Sequence, residues 1–441
     1  MRKFTAFVSL ALIGMFGAAG RAAAQNLTIT NAHIIDGNGG VIERGSVSIR
    51  DGRIVSVSAV PAAAGTPSLD ARGMTVMPGF IDDHRHIVGG SFPPPDPDRW
   101  MKEESVPRMQ EFLDAGFTTV QSCGDPVPQI VELQRRLNAG QIQGPHLFTA
   151  AFVQLSRPSA APGRGAAPGI LAVDPARIDN SRPPYRPTQP ALAISDDDAR
   201  AQVQRLKAAG IDDVKAVIVV TPGGPETHTL SVIVDEAKKV GMPVITHAVT
   251  VEDMFAAIGA GVTVLAHTPH IGQLDEAGAR KVAASGIPMM STLGIFAPTF
   301  SEDNERIRMR TGVDNVPRFR DLDPFPWDTL SSAGQGPVNA RLLWEAGVVY
   351  GYGTDTSFLP KDSLTQELKG LRLVFSRKDI VQIMTRNAAN AIGHGKEIGT
   401  LEPGKQADIV MLDGDPLANI DNVLNVRAVI KSGKIVVDRR R

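Results

Sequence analysis

The sequence predicts an α/β chain in which eight alternating strand–helix units close into a barrel, flanked by a small β-domain drawn from both termini. Three observations predict it. A helical stretch, then a small residue and Gly, then an apolar strand recurs at Ala115-Gly116, Ala209-Gly210, Val240-Gly241, Ala260-Gly261, Ser285-Gly286 and Ala346-Gly347. Two further strand candidates, Thr75–Ile81 and His146–Thr149, bring the number of units to eight. The two ends of the chain read instead as short strands separated by tight turns. Eight βα units are the pattern of a TIM barrel.

Taken in order, the first residues form an address. Met1-Arg2-Lys3 is basic, Phe4 to Gly20 carries no charge, and Ala22-Ala23-Ala24 offers a small-residue cleavage site. This predicts a signal peptide over residues 1–24, hence a periplasmic or secreted protein. The competing reading, a membrane anchor, is weakened by an apolar run at the short limit for crossing a bilayer. Residues 25–75 and 395–441 are expected to build the terminal β-sandwich. Its strands are Leu27–Thr30, Ser46–Arg50, Ile54–Val60, Ala407–Leu412, Val426–Ile430 and Ile435–Val437, joined by Asp-Gly, Ser-Gly and Gly-rich turns.

Residues 76–394 form the barrel, with strands starting near 76, 117, 146, 211, 242, 262, 287 and 348. Gly suits the left-handed residue that closes a helix. The helices show their own period, as in the stripe Leu230, Ile233, Val234, Ala237. The strands between them are apolar on both faces, as parallel strands covered by helices should be. Two long connections, Ser156 to Pro190 and Phe296 to Gly336, follow strands 3 and 7. A doubly wound open sheet is the runner-up, but Rossmann and P-loop glycine fingerprints are absent.

Composition narrows function. Lys plus Arg is 46 against 47 acids, so no basic footprint for nucleic acid exists. A single cysteine, Cys123, excludes an intramolecular disulfide and a cysteine-type zinc site. The expected partners are therefore a small molecule and, as an open option, a second copy of the chain; no stable membrane anchor is expected after signal cleavage.

The histidines sit where strands end. His84 and His86 form H-x-H after strand 1, so alternation places both imidazoles on one side. His247 ends strand 5, His267 strand 6, and Asp355 follows strand 8. Residues at strand ends converge on the catalytic rim of a barrel. Lys215 stands inside an apolar strand, where a bare ammonium is costly. Either its amine reaches solvent, or it reacts with CO₂ to give a carbamate able to bridge two cations. His228 and His270 are candidate substrate contacts, and Asp125, in the loop after strand 2, is similar. His33 and His394 read as surface residues, and His146 opens strand 3 on the stability face.

The segment Pro78-Gly79-Phe80-Ile81-Asp82-Asp83-His84-Arg85-His86 resembles the opening motif of the metal-dependent amidohydrolase superfamily. Thr385 to Ala389 and Ile398 to Val410 are similar to its closing stretch, and Gly353-Thr354-Asp355 to its strand-8 motif. The likeness spans the chain beyond residue 24. More narrowly, it points to the branch related to imidazolonepropionase that includes Xaa-Pro dipeptidase-like and ochratoxin-type amidohydrolases.

The resemblance implies two Zn²⁺ ions. His84, His86 and Asp355 would hold one, His247 and His267 the other, with carboxylated Lys215 between them. Imidazolonepropionase-like members use one metal and no carbamate. A divalent cation generates hydroxide near neutral pH, and Asp355 would be the general base. The expected reaction is hydrolysis of an amide C–N bond in an N-acyl amino acid or dipeptide. The alternatives are lactone, cyclic-imide or carbamate hydrolysis on the same metals, and a non-catalytic periplasmic binding protein.

Overall fold

The computed structural model describes residues 26–60, 67–88, 96–158, 191–294 and 332–440. The expected signal peptide, and nearly all of the two long connections, lie outside these residues. Among the described residues no helix is long and apolar enough to cross a membrane.

The chain begins with β1 (Leu27–Ile35), β2 (Val41–Arg50), β3 (Arg53–Ser58), β4 (Ser68–Asp70) and β5 (Thr75–Pro78). Eight barrel strands follow: β6 (Phe80–Arg85), β7 (Phe117–Cys123), β8 (His146–Phe152), β9 (Asp213–Val217), β10 (Val244–His247), β11 (Val264–Leu265), β12 (Met289–Met290) and β13 (Tyr350–Gly351). They pair in parallel in chain order. β13 returns to β6 through the Asp83 N–H to Tyr352 carbonyl bond at 2.8 Å, the Asp355 N–H to His84 carbonyl bond at 2.8 Å, and an Arg85–Thr356 bridge. The expected TIM barrel is therefore present. β14 (Ile409–Leu412), β15 (Val426–Lys431) and β16 (Lys434–Asp438) complete a second sheet of order β16-β15-β14-β5-β1-β2-β3, with β4 also on β1. Its own core gathers Ile29, Ile34, Val47, Ile54, Val76, Ile409 and Ile430.

The strand expected over Thr75–Ile81 is two strands. Thr75–Pro78 runs antiparallel to β14 in the terminal sheet, and the barrel starts at Phe80. Gly79 makes the break. Its N–H donates to Asp408 at 2.9 Å, and an added Cβ would overlap the Thr118 side chain. The close backbone approach that joins the two sheets therefore requires glycine.

Five later strands, β9 to β13, start two residues after their expected positions, and for four of them the reason is local. The N–H groups of Ile211, Met242, Val262 and Val348 reach back to the carbonyls of Leu206, Ala237, Ala257 and Leu343. That is the closing bond of a Schellman turn, so these residues finish a helix before the ladder begins. All six recurrent glycines take positive φ, from 69° at Gly241 and Gly286 to 100° at Gly347. The second long connection ends earlier than expected, because a helix begins at Ser332 and runs to Ala346.

Candidate metal centre

Five strand ends deliver six side chains to one place. His84 is the fifth residue of β6, and His86 lies just past its end. Lys215 is the middle residue of β9, His247 ends β10, His267 follows β11, and Asp355 follows β13. Asp355 Oδ1 lies 3.0 Å from His86 Nε2 and 3.2 Å from His84 Nε2, with Oδ2 4.0 Å from His267 Nε2. Lys215 Nζ is 3.1 Å from His84 Nε2. The His84 and His267 ring centroids are 4.9 Å apart, and those of His247 and His267 4.3 Å. Ligand atoms of His84, His267 and Asp355 lie within 4.8 Å of one another, close enough to share one ion.

The surrounding hydrogen bonds aim these groups. His84 Nδ1 is 3.0 Å from the Ala266 carbonyl, which can only accept, so Nδ1 carries the proton and Nε2 keeps its lone pair. His267 Nδ1 lies 3.0 Å from Thr292 Oγ1. Asp355 (φ 51°) and Thr292 (φ 43°) both sit in the left-handed region. Asp tolerates that region; a β-branched Thr does so only under strain.

Charge states follow from burial. Desolvation lowers the His84 pKa to about 4 and the His247 pKa to about 3, with Lys215 adding to each effect. His267 is held well below its ordinary value by burial and by His247. Burial would raise the Asp355 pKa, but His84 and His86 overcome it and keep the carboxyl well below the usual range. Desolvation also lowers the Lys215 pKa and favours its neutral amine. Neutral imidazoles beside an ionised carboxylate are donors suited to a divalent cation. His86 offers a further donor to this set through Nε2, 3.0 Å from Asp355 Oδ1. The residues fit a metal centre.

The other expected site residues divide. His270 is buried, donates its N–H to the Val249 carbonyl at 3.0 Å, and bears electrostatically on His247. His228 stands apart from the metal centre. It lies on the helix Glu226–Lys239 with an exposed side chain, 2.9 Å from Asp196 of the helix Asp196–Ala209. A position after a strand reads as a rim position only when the chain stays in the loop, and here it has already turned into helix. His394, read as a surface residue, stacks on Phe148 with centroids 4.0 Å apart. His146 pairs with Asp408 at 3.1 Å, joining the barrel to the terminal sheet.

Arg85 and Glu367, which support the centre, escape sequence reasoning, whereas Asp125 was a candidate in its own right. Arg85, between the two paired histidines, is fully buried. Its Nη1 donates to Thr354 Oγ1 (3.0 Å) and Thr356 Oγ1 (2.6 Å), and Nη2 to the Phe358 carbonyl. It lies 3.9 Å from Asp82, which accepts from Thr354 Oγ1 at 2.9 Å. Asp125 accepts the Ile87 and Val88 N–H groups and the Ser122 hydroxyl, fixing the chain beyond His86. Glu367, on the helix Pro360–Val374, accepts from Ser291 Oγ and from the N–H groups of Leu293 and Gly294, on either side of Thr292. An Arg inside H-x-H was the one available signal, since a charge beside two ligands must be paired.

Residues 75–436 match the Amidohydrolase family. The chain is similar to an imidazolonepropionase from Thermoanaerobacter pseudethanolicus, 24% identical over 437 residues, covering 89% of this chain and 90% of that protein. Among solved structures it is similar to a Xaa-Pro dipeptidase with bound methionine (TM-score 0.67, 21% identity, 94% and 100% of the two chains). It is likewise similar to the A. niger ochratoxinase (TM-score 0.66, 20% identity, 94% and 96%).

Proposed function

Because the chain belongs to the amidohydrolase family, we propose that it cleaves an amide C–N bond of a small substrate, an N-acyl amino acid or dipeptide. That it is a hydrolase acting on C–N bonds follows from the family; the amide and its size are the proposal. One observation supports it most. Asp355 is within 4.0 Å of three imidazoles brought from different parts of the chain, with Lys215 against one of them. His84, His86, Asp355, His247 and His267, with a carbamylated Lys215, would hold the divalent cations, taken as two Zn²⁺. When bound, the cations supply Lewis acidity that makes water a nucleophile near neutral pH and polarises the scissile carbonyl.

The residues of the chain do the rest. Asp355, kept ionised, accepts the proton of the attacking water and returns it to the departing nitrogen. Ala266 and Thr292 hold the His84 and His267 rings so that neither turns during this transfer. The Lys215 amine, whose neutral form burial favours, adds CO₂ by forming one N–C bond and losing one proton. Lys215→Ala is expected to lose close to one metal equivalent and to be partly restored by short carboxylic acids. An intact mass without the CO₂ adduct in active protein would end the carbamate idea.

Metal-loaded protein is expected to release free amine from members of an N-acyl amino acid and dipeptide panel, and to stop on chelation. Full metal content with no release from any member would overturn the amide reading. The stretch Met1 to Ala24 further supports export with cleavage, tested by the N-terminal residue of protein recovered from the periplasm or medium.

A further inference from the structure

Two large apolar side chains stand partly exposed on strands beside residues of the metal centre. Phe152 pairs in register with Lys215, and Val217 with His247. In-register residues on neighbouring strands point to the same face, and so do residues two apart on one strand. Lys215 and His247 face the barrel interior, so Phe152 and Val217 face it as well. One layer below, Cys123, Ala150 and Ile245 are almost completely buried against one another. Phe152 is 43% exposed and Val217 41%. They are the last interior residues of β8 and β9, and among the described residues no core cluster includes them.

The Phe152 ring is also seated. Gly124, at φ 112°, lies beneath it, and an added Cβ there would overlap the ring. The Gly124 N–H donates to the Ala150 carbonyl at 2.9 Å, which fixes the seat to the strand that carries the ring. A ring packed on backbone on one side and open on the other offers an aromatic face. A flat apolar group gains both area and ring contact there, whereas a carboxylate would lose water without a partner.

We propose that Phe152 and Val217 are specificity-determining residues, forming the wall of a subsite for an aromatic side group of the substrate. The inference deepens the amide reading and rests on it. The test uses holoenzyme and two matched series, so that either side of the scissile bond can carry the ring. N-acetylphenylalanine is compared with N-acetylalanine, and hydrocinnamoylglycine with propionylglycine. In at least one series the aromatic member is expected to show kcat/KM ~10–100-fold higher, the value of burying a phenyl-sized group. Phe152→Ala should bring that ratio close to one, and Val217→Ser should reduce it by a smaller factor, with metal content unchanged.

A second arm needs no turnover. Calorimetric titration with the corresponding products, phenylalanine against alanine and hydrocinnamate against propionate, should show the same preference and its loss in Phe152→Ala. Turnover without aromatic preference in either series overturns the subsite and leaves the amide reading standing. Aromatic preference in binding, lost in Phe152→Ala but with no turnover of any amide, overturns the amide reading and leaves the subsite. Absence of both overturns both.

Discussion

Asp355 and Thr292 hold left-handed backbone conformations at the two places where the metal centre needs a side chain turned inward. Strain of this kind costs on the order of 1–3 kcal/mol per residue and persists only where neighbours enforce it. For Asp355 the enforcing bond is its N–H on the His84 carbonyl, so the base and a metal ligand are set by one contact. Asp355→Asn keeps the shape and loses the proton acceptor. It is expected to lower kcat by ~10²–10⁴-fold with metal retained, read from steady-state kinetics beside elemental analysis. Near-normal turnover would remove Asp355 from proton transfer. Arg85 acts through structure instead. Arg85→Met leaves Asp82 buried without its cation and is expected to cost roughly 3–5 kcal/mol in denaturant unfolding. A change below about 1 kcal/mol would mean that Asp82 is satisfied by its hydrogen bonds alone. At this scale the side chains that gather at the strand ends were legible, because His and Asp there stand out from apolar surroundings. Thr292 was not, since nothing local distinguishes a threonine that will be strained from one that will not.

Elements carry the same logic one level up. The helix Pro360–Val374 brings Glu367 against the turn that holds Thr292, and one carboxylate there accepts three hydrogen bonds. Glu367→Gln replaces an accepting oxygen with an amide that must face an N–H. It is expected to destabilise by about 1–3 kcal/mol, measured by thermal unfolding, and to weaken metal binding through His267. Unchanged stability and metal affinity would mean that the turn holds itself. Helix ends were readable from the small-residue-plus-Gly signals, yet the strands after them were read two residues early. The reason is physical: the residue after the glycine is apolar and extended, but its N–H is already committed to the helix behind it. His228 lies on a helix and not in the loop for a related reason, since a helix start after Pro225 leaves no local trace of which way its first turn will face.

For the whole molecule, the barrel and its terminal sheet were both legible, because eight apolar strands and two sets of short turn-bounded strands differ in period and punctuation. What was not legible was their junction at Gly79, where one apolar run serves both sheets. A metal centre fed by five strand ends ties most of the barrel to one ion-binding equilibrium. Removing ions present at a thousand times their Kd is expected to cost roughly 4 kcal/mol. Scanning calorimetry with and without chelator should show a lower transition that zinc restores; an identical transition would mean that no ion is bound by the folded state.

β5 has a further consequence, for synthesis. As the ribosome delivers the chain, β1 is available to one edge of this strand at once, but its other edge waits for Ile409–Leu412. Until Ile409–Leu412 has been made, the two histidines just beyond Gly79 are anchored on one side only. Metal capture by His84 and His86, as proposed, should therefore follow synthesis of Ile409–Leu412, and a message truncated before residue 409 should yield chains that proteases clear before they ever hold metal.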